Sequence, residues 1–218
     1  YWSSIAGIGP DSHRYTWELL GVGLRCAMMV VMRFKHLLEC PRPGEYSSLI
    51  QPVVLTPGYT AYPSGHATEG YFAAMMLADL ALGAAAASPA ASGGLAKWTN
   101  DSGSGPALLG GMHDGLRSQL NRLAYRVAEN RVVAGLHFPI DSMAGQTLGT
   151  NLARLFRARA TDGQARDGGT FDFNVSADLT SRQPVLDDAI PSQGHDVVKV
   201  GTGAILAQLW ESARDEWR

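Results

Sequence analysis

Cysteine is almost missing: Cys26 and Cys40 are the only two in 218 residues, which excludes a disulfide scaffold. They stand fourteen positions apart. On an unbroken helix that is about 21 Å, too far to bridge, so free buried thiols are expected and no compartment follows. Charge is also sparse, at 17% of residues with a formal net charge of −2. No global pull toward nucleic acid or an anionic membrane exists, and any preference for anions must be local. An initiator Met, a basic leader and a signal-like apolar segment are absent at the Tyr-Trp-Ser-Ser start. The chain is therefore read as a mature or truncated piece of a longer product. Charge-free apolar runs of membrane length are lacking too. Arg25 and Arg33 interrupt the first apolar run and Asp79 the second, so buried bundle helices are expected and membrane association is not. His13, His36, His113 and His195 have no Cys, His or carboxylate partner at ligand spacing. Zinc and haem are accordingly not expected.

What is present is a folded composition, 45% hydrophobic, patterned mainly for helices. Tyr15 to Leu38 is apolar nearly all round, which predicts a buried helix, ended by Pro41 and Pro43. Residues 44–62 carry Gly44, Pro52, Pro57 and Gly58 and read as a loop. A second helix is predicted from His66 to about Ala87. Residues 88–114, rich in Gly, Ser and Pro, read as a flexible connection, either a lid or plain disorder. A third helix is predicted from Leu116 to Ala134, ended by Gly135, and a fourth to Ala158 capped by Asp141 or Ser142. After Arg159 the composition turns to Gly, Asp, Ser and Pro, with thin strand signals at Phe171–Val175 and Val197–Val200. A last helix is predicted over Thr202–Trp217. The fold class is mainly α, a helix bundle with an irregular C-terminal extension. Its expected division is a helical domain over 1–160 and a loop-rich extension over 161–218.

Three islands carry chemistry. In Lys35-x6-Arg42-Pro43, the break at Pro41 lets Arg42 fold back toward Lys35, so both can meet one anion. A cation at a helix C-terminus plus a surface arginine would explain the same residues. Tyr62-Pro63-Ser64-Gly65-His66-Ala67-Thr68 reads as a tight turn into a helix N-terminus. Free N–H groups, the positive end of the helix dipole, a hydroxyl and an imidazole gather there. A plain helix start with an incidental histidine is the simpler alternative. In Asn130-Arg131-x5-His137-x3-Asp141, the carboxylate can accept an N–H from His137, orienting the ring and leaving its other nitrogen free. A helix cap would explain Asp141 alone and a satisfied core histidine His137 alone, but neither explains Arg131 at this spacing.

In this order the three islands resemble the superfamily that joins vanadium-dependent haloperoxidases with type 2 phosphatidic-acid and class A bacterial acid phosphatases. The resemblance runs from about Lys35 to Gly149. It implies an oxyanion pocket in which Lys35, Arg42 and Arg131 hold the anion's oxygens and Ser64 and the Gly65 amide add hydrogen bonds. His137 would be apical, as metal ligand or nucleophile, with Asp141 orienting it and His66 opposite as acid/base. The implied cofactor is vanadate, with hydrogen peroxide and halide as reactants, and phosphate can occupy the same site. The wording Tyr-Pro-Ser-Gly-His-Ala-Thr-Glu69-Gly70, and Gly135 two residues before His137, look haloperoxidase-like. His137-Phe-Pro-Ile-Asp141-Ser-Met-Ala-Gly looks phosphatase-like, which keeps a phosphomonoesterase with a phosphohistidine as the alternative. Asn130 departs from the Ser-Arg usual in phosphatases. A non-catalytic anion-binding domain is a third reading. Family members carry several helices before the first motif. A missing N-terminal segment, a second chain or a homo-oligomer is therefore expected to complete the bundle.

Overall fold

The computed structural model describes residues 1–86, 110–161, 164–166, 197–199, 201 and 203–218. Its elements are α1 (Trp2–Ala6), α2 (Arg14–Leu38), α3 (Pro43–Tyr46), α4 (Gly65–Ala86), α5 (Gly110–Val133), α6 (Pro139–Thr161), β1 (Gln164–Arg166), β2 (Val197–Lys199) and α7 (Ala204–Asp215). The fold is mainly α, as predicted. The two short strands pair antiparallel, Gln164 opposite Lys199 and Arg166 opposite Val197. Among the described residues, no helix is long and apolar enough to cross a membrane.

The centre is α4. From Tyr71 to Ala78 every residue is buried, because α2, α5, α6 and α7 all pack against it. Small residues make this enclosure close. A methyl group at Gly23 of α2 would collide with the Phe72 ring, and one at Gly149 of α6 with the Thr68 carbonyl. At Gly145, one turn before Gly149, a methyl carbon would lie 2.6 Å from the Ser64 carbonyl oxygen and 2.8 Å from the Ala67 Cβ. The Gly145-x3-Gly149 face thus lets α6 approach the start of α4, where the second motif sits. Gly145→Ala is expected to cost about 1–3 kcal/mol through overpacking. It should also weaken phosphate binding, because the atoms that must yield carry Ser64. Chemical denaturation and phosphate titration of the same variant check both effects.

Several sequence expectations are corrected. Helix α2 is buried on one face only, through Thr16, Leu19, Leu20, Gly23, Ala27, Val31 and Lys35. Val22, Met29 and Leu37 are exposed on the other, Leu37 at 79%. The apolar stripe is continuous in sequence but only half of it meets the bundle. Cys26 is exposed and Cys40 half-buried, so the thiols are free without being buried. Helix α5 begins at Gly110, so the predicted flexible connection is helical over residues 110–114. The lid reading of residues 88–109, and the strand signal at Phe171–Val175, lie outside the described residues. Helix α6 begins at Pro139, which makes Asp141 a first-turn residue rather than the cap. Its carboxylate reaches back to the Phe138 N–H at 2.9 Å, satisfying a donor left free at the helix start.

Asp79, near the middle of α4, meets Arg157 of α6 at 3.5 Å. Burial pushes its carboxyl upward and the arginine opposes that shift. The terminal helix returns to α2: Glu216 accepts the N–H groups of Tyr15 and Thr16 at 2.8 and 2.9 Å. A carboxylate on these first-turn donors of α2 is favoured by the helix dipole. Trp217 donates its indole N–H to the Thr16 hydroxyl, and Trp210 is buried in the core.

Candidate functional site

Each motif stands at the end of a helix, and the three ends meet. Lys35 lies in the last turn of α2 and Arg42 just ahead of α3. Both are only 2% exposed. The break between the helices turns Arg42 back, as expected, so that both cations share one acceptor. The Lys35 Nζ donates to the Thr60 and Ala61 carbonyls at 2.7 and 2.6 Å. Arg42 donates through Nη2 to the same Thr60 carbonyl, through Nε to Tyr59 O at 2.8 Å and through Nη1 to Leu136 O at 2.9 Å. An ammonium has three protons and a guanidinium five. One proton on Lys35 and two on Arg42 therefore remain for another acceptor.

The second motif starts α4. Ser64 is fully buried, its backbone N–H donates to Asp141 O at 2.9 Å, and its hydroxyl oxygen faces the Ala67 N–H at 3.4 Å. Gly65 and His66 are the first two helical residues, so their N–H groups have no intrahelical acceptor. A methyl carbon at Gly65 would meet only the Val31 side chain, at an ordinary 3.6 Å. No packing conflict explains that glycine. His66 has an exposed edge. Desolvation of its inward side lowers its pKa first, followed by Arg131, His137, Lys35 and Arg42 in that order.

The third motif is joined by the end of α5. The Leu136 N–H bonds to Arg131 O and the Gly135 N–H to Val132 O, with Gly135 at φ +73°. This is the glycine-terminated helix end in which the chain doubles back over the last turn. It brings His137 toward Arg131 despite the residues between them. His137, 4% exposed, places Nδ1 3.1 Å from Oδ2 of Asp141, itself 2% exposed. A carboxylate accepts, so Nδ1 carries the proton and Nε2 is the free, nucleophilic nitrogen. Burial lowers the His137 pKa and Asp141 opposes that shift, which favours the neutral imidazole that a ligand or nucleophile requires.

The network thus closes on itself. Lys35 and Arg42 tie the first motif to residues 59–61, Ser64 ties the second to Asp141, and Arg42 ties the first to Leu136. Lys35, Arg42, Ser64, His137 and Asp141 take part through side-chain or backbone bonds and Arg131 through its carbonyl, while Gly65 and His66 follow Ser64 at the start of α4. The 59–61 carbonyls were not legible in the sequence, where Pro57-Gly58 and Pro63 mark only a loop. Their one signal is position, immediately before the second motif.

Charge is the telling feature. Lys35, Arg42 and Arg131 act on a region in which, among the described residues, Asp141 is the one buried carboxylate. The Nε of Arg131 is buried without a hydrogen-bond partner, as are a few side-chain atoms away from the site such as the Thr150 hydroxyl, although buried polar atoms are ordinarily paired. At Arg131 the unpaired donor adds to the charge of Lys35 and Arg42. Burial and then Arg42 bring the Lys35 pKa down from 10.5 to about 8, against the pull of Asp141 and Cys40. Between those values the unfolded chain holds more protons, so the stability of the ligand-free protein rises with pH across that window. Affinity for a multiply charged anion moves the other way, falling as Lys35 loses its proton. Titrating inorganic phosphate from pH 7 to pH 10 is expected to show about a tenfold loss per unit above roughly pH 8.

Compared with curated proteins, the chain has no match. A family model described as the PAP2 superfamily matches residues 16–162, a span that takes in all three motifs and the helices α2 to α6 that present them. On that match and on the site built from its motifs, the chain belongs to the PAP2 superfamily, which unites phosphatases and haloperoxidases.

Proposed function

We propose that the pocket holds a tetrahedral oxyanion against His137 and that its working anion is vanadate, making the chain a vanadate-dependent haloperoxidase. The observation that carries the oxyanion is the excess of buried positive charge with an unpaired donor on Arg131. Fixed donors around an anion need little reorganisation when charge develops on it. The residues suit vanadate: Lys35, Arg42 and Arg131 as cations, Ser64 and the Gly65 N–H as neutral donors, and His137 Nε2 as the one metal ligand. When bound, vanadate supplies Lewis-acid activation of hydrogen peroxide toward halide without changing its own oxidation state. Asp141 keeps Nε2 unprotonated by holding the proton on Nδ1. His66, at the exposed side, exchanges protons with solvent. An anion in the pocket would offset the cations that lower its pKa, so His66 takes up a proton more readily when the site is filled. The haloperoxidase reading over its alternative rests on the wording Tyr62–Gly70 and Arg131–His137.

A phosphomonoesterase is the second reading, favoured by the wording from His137 to Gly145. There Nε2 attacks phosphorus, the ester P–O bond breaks, and His66 delivers a proton to the departing oxygen. Both readings are tested on one preparation. Halide oxidation is assayed with peroxide after reconstitution with orthovanadate, and ester hydrolysis without it. Vanadate-dependent halogenation is expected. Robust ester turnover with no halogenation would reverse the order.

A further inference from the structure

The cations of the site are held by a strap that neither reading assigns. Tyr59, Thr60 and Ala61 present three consecutive carbonyls to Lys35 and Arg42. The Thr60 hydroxyl returns a bond to Lys35 O at 2.8 Å, and the Ala61 N–H donates to Cys40 O at 2.8 Å. The carbonyls fix the direction of the cations and offset part of their mutual repulsion, and a further source of negative potential would offset more. The Tyr59 side chain is placed to do that. Its ring centroid lies 5.4 Å from Lys35 Nζ and also 5.4 Å from Arg42 Cζ. Both distances are within the range in which an aromatic face attracts a cation. Tyr59 is 42% exposed, so core packing alone does not account for it.

We infer that Tyr59 is a positioning residue whose ring face holds Lys35 and Arg42 together, charged and aimed, for the anion. This rests on the reading that these two cations bind an oxyanion. The lowered pKa of Lys35 and the part Arg42 plays in it agree with a pair that gains from a shared π face. Removing that face while keeping apolar bulk should make Lys35 release its proton more readily. Phenylalanine keeps the ring face and loses only the smaller Coulombic support that Tyr59 gives Arg42, so it should serve nearly as well.

The test is phosphate affinity against pH for the whole chain and its Tyr59→Phe and Tyr59→Leu variants. Wild type must bind inorganic phosphate; if it does not, the oxyanion reading fails before Tyr59 is questioned. Given binding, Tyr59→Phe is expected to stay within about twofold of wild type with an unchanged pH midpoint. Tyr59→Leu should lose about three- to tenfold and move its midpoint down by roughly half a unit to one unit. A merely structural residue would lower affinity without moving the midpoint. If leucine unfolds the strap, Tyr59→Met, flexible enough to refill the space, reads the same two quantities. A leucine or methionine variant matching wild type, an unmoved midpoint, or a phenylalanine variant falling as far as leucine would each overturn the inference.

Discussion

Replacing His137 with alanine is expected to reduce turnover by at least about a thousandfold while the chain remains folded. The imidazole is buried, its Nδ1 is committed to Asp141, and Nε2 is the nitrogen left for chemistry. Both readings of the reaction route through that atom, so neither survives its loss. The fold is less exposed to the change. Asp141 keeps the Phe138 N–H, its backbone carbonyl keeps Ser64, and α6 retains its first-turn carboxylate. Turnover and thermal unfolding measured on one preparation separate the two effects. Activity near the wild-type level would place the chemistry elsewhere. Unchanged phosphate affinity, with no turnover from wild type or variant on any halide or ester, would leave a binding domain.

Arg131→Leu carries the second large effect, and its sign differs between stability and binding. Hydrogen bonds to charged groups contribute about 1.5–3 kcal/mol each, so phosphate affinity is expected to fall roughly tenfold to a hundredfold. Stability should stay level or rise slightly, because Nε of Arg131 is buried with nothing to bond and leucine removes that unmet donor. The same variant reports on His66. Arg131 heads the charged neighbours that lower the His66 pKa, so removing it should raise that pKa. NMR titration of the imidazole reads this directly. A variant that is clearly destabilised yet, while folded, binds phosphate as well as wild type would make Arg131 a structural residue.

The reach of the sequence differs from one helix to the next. Helix α4 was legible because its apolar run is bounded by Pro63 at one end and its residues are small enough to be enclosed on every side. Helix α2 misled, since a stripe of Val22, Met28, Met29 and Leu37 looks the same whether or not anything covers it. Burial depends on neighbours, which periodicity does not contain. The glycine pair Gly145 and Gly149 carries a readable spacing, but only the approach of α6 to the Ser64 carbonyl explains it. At the site, the three motifs were legible because their side chains carry the chemistry. The carbonyls of Tyr59, Thr60 and Ala61 were not, because a backbone acceptor belongs to every residue. Asp141 was recognised as the partner of His137, whereas its second bond to Phe138 depends on where α6 begins.

The most direct measurement is a crystal structure of the chain grown with orthovanadate. An anion is expected beside Nε2 of His137, within hydrogen-bond reach of Lys35, Arg42 and the Nε of Arg131. A structure at saturating vanadate with that position empty, or with Arg131 turned away to pair with a carboxylate of the protein, would contradict the single oxyanion site.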